Sequence, residues 1–135
     1  MNVNDISGQI VDAAMKVHSK LGPGLLESAY EACLVHELRG RGLRVRSQVP
    51  MPVVYDGTSI ELGYRIDLLV EEAVIVELKA VTKQLPVYEA QLLSYLKLSD
   101  YRLGLLINFH VPRMRDGIKR LANGNESSPE PERVD

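Results

Sequence analysis

Apolar residues recur at intervals of three and four near the start of the chain. They are Ile6, Ile10, Ala14, Val17 and Leu21. This spacing predicts an amphipathic helix over residues 5–21. The Gly-Pro-Gly run at residues 22–24 ends this helix. A second helix is predicted from residue 25 to residue 39, because the glycines that follow can adopt the left-handed conformation of a C-cap.

Apolar and polar residues alternate in the next part of the chain, which indicates strands. The alternation predicts a strand over residues 43–49. Residues 53–55, a tight Asp56-Gly57 turn and a longer strand over residues 59–70 predict a hairpin. Another strand is predicted over residues 73–80, so this region should form a group of antiparallel strands.

The rest of the chain contains one more helix and strand before it becomes polar. A proline suits the first turn of a third helix over residues 86–99, and a strand is predicted over residues 102–109. A short last helix is predicted over residues 113–122. Residues 123–135 hold too little apolar surface to offset the entropy of ordering, so they are expected to form a mobile acidic tail. The element order predicts an α/β domain over residues 1–122, in which helices flank a mixed sheet.

The composition fits one globular domain outside the membrane. Of the 135 residues, 45% are hydrophobic and 25% are charged. No apolar stretch approaches the roughly 20 residues that a membrane-spanning helix requires. The single cysteine, Cys33, excludes an intrachain disulfide. It fits a reducing compartment, so a cytoplasmic location is expected.

The formal net charge of −2 is distributed unevenly along the chain. Residues 123–135 contain four acids and one base, so they carry −3 and residues 1–122 carry +1. Basic residues cluster twice in this body. The clusters are Arg39, Arg41, Arg44 and Arg46, and Arg113, Arg115, Lys119 and Arg120. Such clusters are most often solvated surface, and a phosphate-binding role is the alternative.

The segment over residues 63–80 places charged residues on one face of two neighbouring strands. If a three-residue turn at residues 71–73 joins the strands, then Asp67 lies opposite Glu77. Side chains alternate along a strand, so this register defines two faces. One face comprises Arg65, Asp67, Leu69, Ile75, Glu77 and Lys79. The opposite face is wholly apolar, which favours this register, and it comprises Ile66, Leu68, Val70, Val74, Val76, Leu78 and Ala80.

Two carboxylates that face each other across an antiparallel pair repel unless a positive charge lies between them. Their Cα atoms would be roughly 4.5–5.5 Å apart. A divalent cation removes this penalty, and the oxygen ligands of Asp67 and Glu77 suit Mg²⁺ or Mn²⁺. Lys79 lies on the same face, where its ammonium could hold a water or stabilise charge on a phosphate. Spacing alone leaves a second interpretation open, in which these residues form an ordinary charged strand face.

Several ordered motifs resemble those of one group of enzymes. Asp67 followed by Glu77-Leu78-Lys79 resembles the D…ExK signature of the PD-(D/E)XK nuclease superfamily. Residues 24–30, Gly-Leu-Leu-Glu-Ser-Ala-Tyr, resemble the signature of its GxxExxY family, and Gln91-Leu-Leu-Ser-Tyr95 resembles the QxxxY motif of its RecB-like members. The resemblance implies a restriction-endonuclease-like αβββαβ core, to which the helices predicted at residues 5–21 and 113–122 add an extra N-terminal helix and a short C-terminal helix.

The same resemblance implies roles for individual residues. Asp67 and Glu77 are implied as metal ligands, and the carbonyl of Leu78 as a further one. Lys79 is implied as the catalytic lysine. Glu27, which lies in the GxxExxY-like segment, is implied as an additional acidic residue of the site and a candidate metal ligand.

Further candidates lie outside the strand pair. Gln91 and Tyr95 are four residues apart on the third predicted helix, so they share a face and could reach the site. A packing role is the alternative for Tyr95. Lys83 follows the metal-binding strand, where it could contact a phosphate or be an ordinary loop lysine. Tyr30 is expected to be a core aromatic.

The function implied is that of a Mg²⁺- or Mn²⁺-dependent nuclease that hydrolyses phosphodiester bonds in DNA. The alternative is a catalytically inactive module that keeps the fold and binds nucleic acid or a protein partner, because a fold does not guarantee its activity. The sequence indicates neither a strand preference nor an oligomeric state.

Overall fold

The computed structural model describes residues 1–123 and 132–133, and over those residues helices cover both faces of a sheet. The helices are α1 (Val3–Leu21), α2 (Glu27–Gly40) and α3 (Pro86–Ser99). The strands are β1 (Val45–Pro50), β2 (Val53–Tyr55), β3 (Thr58–Ile60), β4 (Arg65–Val70), β5 (Val74–Lys79), β6 (Leu103–Asn108), β7 (Ile118–Ala122) and β8 (Glu132–Arg133). The predicted α/β class is confirmed.

In the described part of the chain, the main sheet has six strands in the spatial order β1-β4-β5-β6-β7-β8. β5 and β6 are parallel, and the other neighbouring pairs are antiparallel. The parallel pair requires a crossover connection, which α3 supplies. β2 and β3 form a separate hairpin between β1 and β4. With this hairpin as an insertion, α2, β1, β4, β5, α3 and β6 form the expected αβββαβ core.

The described apolar residues form two clusters, one on each face of the sheet. α1 and α2 cover one face, where Ile10 and Leu34 pack with Val76. α3 covers the other face, where Leu92 packs with Ile75. Because helices cover both faces, β5 and β6 are buried along almost their whole length. Central strands of this kind therefore read as nearly continuous apolar runs.

The pairing between β4 and β5 follows the predicted register. Val70 pairs with Val74, and Leu68 pairs with Val76. The three-residue turn that joins the strands contains Glu71, whose φ of 54° is unusual for a residue other than glycine. The register therefore leaves Asp67 and Glu77, which the sequence predicts to lie opposite each other in the ladder, just beyond its last pair, Leu68 and Val76.

The predicted apolar face is wrong at Ile66. The prediction places Ile66 with Leu68, but it packs in the cluster under α3 instead. In the described ladder between β1 and β4, Ser47 pairs with Leu68 and Val49 pairs with Ile66. Gln48 and Asp67, which lie between these two pairs, are not paired with each other. Gln48 has a φ of 54°, which breaks the alternation of side chains. Asp67 thus lies at an irregular point of its strand.

The predicted long strand over residues 59–70 is two separate strands. β3 ends at Ile60 and β4 begins at Arg65. Gly63 lies between them with a φ of 79°, a conformation that glycine adopts without strain. The break turns the chain away from the hairpin and into the main sheet.

The predicted short C-terminal helix over residues 113–122 is wrong. Met114–Gly117 form a 3₁₀ turn, and Ile118–Ala122 form β7, which pairs with β6. Without β7, the backbone of β6 would be unpaired along one edge, which is costly and invites pairing with other chains. This long-range requirement outweighs the local spacing of apolar residues.

Gly117, where the 3₁₀ turn meets β7, leaves no room for a side chain. A Cβ there would lie 2.2 Å from the carbonyl oxygen of Asn108. We expect Gly117→Ala to lower the free energy of unfolding by about 1–3 kcal/mol, the usual cost of overpacking. Gly8→Ala is the matched control, because a Cβ at this position of α1 meets nothing within 4 Å. It should stabilise the helix by roughly 0.5–1 kcal/mol. Urea denaturation measures both effects, and equal stabilities would contradict the close approach at Gly117.

Of the predicted mobile tail, residues 124–131 and 134–135 lie outside the described residues, and Glu132–Arg133 form β8 beside β7. The extent of the folded domain, residues 1–122, therefore stays a prediction.

None of the described helices combines the length and the apolar composition that a membrane crossing needs.

Candidate active site

Asp67 and Glu77 meet where β4 and β5 separate. The backbone ladder of the two strands ends at Leu68 and Val76, and side chains take over beyond it. The Asp67 backbone N–H donates to Glu77 Oε2 at 2.8 Å, and the Leu78 backbone N–H donates to Asp67 Oδ2 at 2.8 Å. Each of the two carboxylates is therefore held by the backbone of the other strand.

Glu77 is a buried carboxyl group beside a second one. The residue is 5% exposed. Burial, followed by the charge of Asp67, raises the pKa of Glu77 to about 8, against opposing effects of the Asp67 backbone N–H and of Lys79. A negative charge on Glu77 is thus costly, and a bound cation would offset that cost. Two oxygen donors in this setting fit a hard divalent metal ion.

Glu27 lies in the first turn of α2 and is half-buried. Burial raises its pKa, the charge of Asp67 raises it further, and Lys79 opposes the shift. The Glu27 carboxyl is therefore near enough to Asp67 and Lys79 for their charges to act on it. Among the described residues, however, no group of three or more Asp, Glu, His or Cys side chains converges to hold a metal ion. The structure brings Glu27 near Asp67 without forming a cage of three side-chain ligands.

Tyr30 fixes the loop that leads into Glu27. Its ring is fully buried and stacks on Phe109 with the centroids 4.5 Å apart. Its hydroxyl donates to the carbonyl oxygen of Gly22 and accepts from the backbone N–H of Leu25. The expected core aromatic is confirmed, and its hydrogen bonds also hold the residues before α2 against that helix.

Lys79 ends β5 beneath α3. Its Nζ lies 4.6 Å from the centroid of the Tyr88 ring, which is a cation–π contact. Asn108 holds the segment that follows: its Oδ1 accepts from the Val81 backbone N–H at 3.1 Å, and its Nδ2 donates to the Val81 carbonyl at 2.9 Å. The site residues predicted from the sequence do not include Asn108. Its signal in the sequence is that a polar residue ends the apolar run of β6, where its side chain can hold a neighbouring backbone segment.

Gln48 and Glu31 extend the site beyond the predicted residues. Gln48 Nε2 donates to Glu31 Oε1 at 3.0 Å and to Asp67 Oδ1 at 3.3 Å. Burial raises the pKa of Glu31, the Gln48 hydrogen bond opposes this shift, and Asp67 adds to it. Glu31 lies one helical turn after Glu27, and that spacing is its signal in the sequence. The alternating pattern of β1 does not reveal that Gln48 belongs to the site. Its positive φ concerns this one residue and does not alter the pattern of its neighbours.

Gln91 and Tyr95 both lie on α3, in different surroundings. Tyr95 is 5% exposed, and burial, followed by the charge of Glu77, raises its pKa to about 12. Tyr95 therefore packs in the core and also lies close to the carboxylates. Gln91 is half-buried and lines a cleft together with Tyr95.

The two basic clusters are largely paired within the protein. Ion pairs join Arg41 to Asp12 and Glu37, Arg44 to Glu71, Arg46 to Glu72, Arg113 to Asp116 and Lys119 to Glu89. These contacts favour solvated surface over a phosphate-binding patch. Lys83 is exposed just beyond β5, and its contact with a phosphate stays a prediction.

A protein-family model matches nearly all of the chain that the structure describes. It is the model of the PD-(D/E)XK nuclease superfamily, and it covers residues 4–121, from α1 into β7. No curated protein and no solved structure matches the chain. PD-(D/E)XK nucleases generally use divalent metal ions, which agrees with the paired carboxylates at the end of β4 and β5. The narrower resemblance to the GxxExxY family stays a prediction. The extent of the family match shows that this chain belongs to the PD-(D/E)XK nuclease superfamily.

Proposed function

We propose that this protein is a nuclease that hydrolyses phosphodiester bonds in DNA with Mg²⁺ or Mn²⁺ as its cofactor. The ligands would be the carboxylates of Asp67 and Glu77 and the carbonyl oxygen of Leu78, with Glu27 as a further acidic ligand. One observation carries the proposal: reciprocal hydrogen bonds hold the two carboxylates together while Glu77 is buried. The protein would act in the cytoplasm, a reducing compartment that suits its single free cysteine.

Each residue of the site has a separate part in this proposal. When bound, the cation would supply Lewis-acid activation of water and balance negative charge. The ammonium of Lys79, held over Tyr88, would stabilise the charge that grows on the phosphate. Gln91 would orient the substrate by hydrogen bonds from α3. Lys83 would contact the DNA strand beside the scissile bond, and Tyr95 would reach that strand only through the small part of its side chain that is exposed.

The proposal is tested by incubating the protein with single- and double-stranded DNA in Mg²⁺, in Mn²⁺ and in EDTA. We expect cleavage with either cation and none in EDTA. Asp67→Asn should abolish cleavage, because asparagine offers the cation no negative charge. The local structure should persist, because the asparagine oxygen can still accept the hydrogen bond from the Leu78 N–H. Asp56→Asn is the matched control, since Asp56 is exposed in the turn between β2 and β3. Equal cleavage by the two variants would place the chemistry elsewhere.

A second candidate function is an inactive module that binds nucleic acid or a protein partner. It is favoured by the absence, among the residues that the structure describes, of three converging acidic, histidine or cysteine ligands. DNA binding that persists in EDTA, with no cleavage of any DNA offered in Mg²⁺ or Mn²⁺, would support this alternative. Cleavage that depends on Asp67 would reject it.

A further inference from the structure

A cleft lies between α3 and the chain around the β2–β3 hairpin. Its volume is about 610 Å³, within the range of pockets that bind small organic groups. Val53 and Tyr64 line one side, and Gln91, Ser94 and Leu98 of α3 line the other. The lining combines apolar and aromatic side chains with a few polar groups, which is the composition of a ligand pocket.

Tyr64 offers an aromatic surface in this cleft. It is 45% exposed, whereas Tyr95 behind it is 5% exposed. The two ring centroids lie 6.4 Å apart, with the planes inclined by 59°, so Tyr95 supports Tyr64 from within the protein. An exposed and supported ring suits the stacking of a planar aromatic group, which is a principal way in which proteins bind unpaired bases.

Polar groups on α3 complement the edge and the phosphate of a nucleotide. The side-chain amide of Gln91, which hydrogen-bonds to no residue that the structure describes, can both donate and accept at the edge of a base. Lys97 also lines the cleft and is exposed, so it supplies a positive charge for a phosphate. An apolar ligand would use neither group.

α3 connects the candidate active site with the cleft, because it carries a residue of each, Tyr88 and Tyr95. Tyr88 lies under the Lys79 ammonium, and Tyr95 follows about two helical turns later on the same face of the helix. Tyr95 also lies within the electrostatic influence of Glu77. An extended strand along α3 can therefore place a phosphate at the carboxylates and a neighbouring base in the cleft.

We propose that this cleft binds an unpaired base of single-stranded DNA, stacked on Tyr64 and hydrogen-bonded to Gln91, and thereby selects single strands as the substrate. The inference rests on the proposed nuclease function, because it specifies the form of DNA that the same site accepts. In a duplex the bases are stacked within the helix and must be extruded before a protein side chain can reach their faces. Every base has an aromatic face, so little sequence preference is expected.

Binding measured without cleavage tests the inference. Fluorescence anisotropy in EDTA would compare a labelled single-stranded oligodeoxynucleotide, a strand of the same length with abasic sites, and the corresponding duplex. The variants are Tyr64→Ala, Tyr64→Phe and Tyr55→Ala. Tyr55 is the matched control, because it is an exposed tyrosine of β2 that does not line the cleft. Circular dichroism and thermal melting check that each variant is folded.

We expect Tyr64→Ala to weaken binding of the single strand about tenfold, a typical effect of losing one base stack. Tyr64→Phe keeps the ring and should keep the affinity, and Tyr55→Ala should have no effect. The abasic strand should bind to the wild type as weakly as the normal strand binds to Tyr64→Ala. The duplex should bind equally to the wild type and to Tyr64→Ala.

Equal affinity of Tyr64→Ala and Tyr55→Ala for the single strand would overturn the inference, and so would equal affinity of the wild type for the abasic and the normal strand. A change in mass by light scattering for Tyr64→Ala would assign the cleft to a second copy of the chain and also overturn it. Binding in EDTA needs no catalysis, so the two proposals fail separately. Tyr64-dependent binding without cleavage would reject the nuclease and keep the base site, whereas cleavage insensitive to Tyr64 would do the reverse.

Discussion

Glu77→Gln is expected to abolish metal-dependent DNA cleavage while the fold stays intact. Glutamine has the same shape, and its carbonyl oxygen can still accept the hydrogen bond from the Asp67 backbone N–H. It lacks the negative charge on which a hard divalent cation depends for both affinity and position. Losing one preorganised electrostatic contact typically costs a factor on the order of 10²–10³ in rate, and losing a metal ligand should cost at least as much.

The stability of the metal-free protein should not fall with this substitution. Burial and the neighbouring Asp67 raise the pKa of Glu77 to about 8, so a carboxylate at this position is unfavourable without a cation. A neutral glutamine removes that cost, and the melting temperature in EDTA should stay the same or rise. Adding Mn²⁺ should then raise the melting temperature of the wild type but not that of Glu77→Gln, because only a cation that binds the native state stabilises it.

Three measurements distinguish these effects: calorimetric titration with Mn²⁺, melting curves with and without the cation, and cleavage assays. Glu61→Gln is the control, since Glu61 is exposed and lies outside the strand pair. If Glu77→Gln binds Mn²⁺ and cleaves DNA as Glu61→Gln does, Glu77 is not a metal ligand. If it unfolds in EDTA, the carboxyl is needed for structure instead.

The strand pair that carries the candidate site could be predicted because its pattern leaves few alternatives. A slip of one residue would send Asp67 and Glu77 into the cluster under α1 and α2, which costs far more than any local preference. The short turn then fixes the pairing of Val70 with Val74. The third helix could be predicted for a similar reason, because Pro86 sets its first turn.

The local geometry around Asp67 could not be predicted in this way. Gln48 reads as an ordinary polar residue of an alternating strand, yet its φ of 54° breaks the alternation. Its side chain then bridges Glu31 and Asp67, and Ile66 moves to the cluster under α3. A left-handed conformation is uncommon outside glycine and has a weak sequence signature, so no pattern over several residues reveals it.

The error in the C-terminal segment has a different cause. Ile118 and Leu121 are three residues apart, a spacing that suits one face of a helix. In β7 the same spacing places them on opposite faces of the sheet, and each is buried, Ile118 under α1 and α2 and Leu121 under α3. A strand covered on both sides can therefore mimic a helical pattern. The choice depends on the open edge of β6, which lies outside any local window of sequence.

Lys79→Met is expected to lower cleavage by a factor on the order of 10²–10³ while metal binding survives. Methionine is similarly long and can keep the contact with the Tyr88 ring, over which Lys79 Nζ lies at 4.6 Å. Asp67 and Glu77 should stay in place, since their hydrogen bonds go to backbone N–H groups. Removing the ammonium also removes its repulsion of a nearby cation, so the affinity for Mn²⁺ should be unchanged or tighter.

This combination of effects separates a residue that acts on the phosphate from one that holds the metal. Glu77→Gln should lose both Mn²⁺ binding and cleavage, whereas Lys79→Met should lose cleavage alone. Lys79→Arg keeps the positive charge and can stack on Tyr88, so it should recover part of the rate. Lys20→Met, at the exposed end of α1, is the control and should change nothing. Loss of Mn²⁺ binding in Lys79→Met would show that the lysine organises the metal site, and a wild-type rate would exclude it from the reaction.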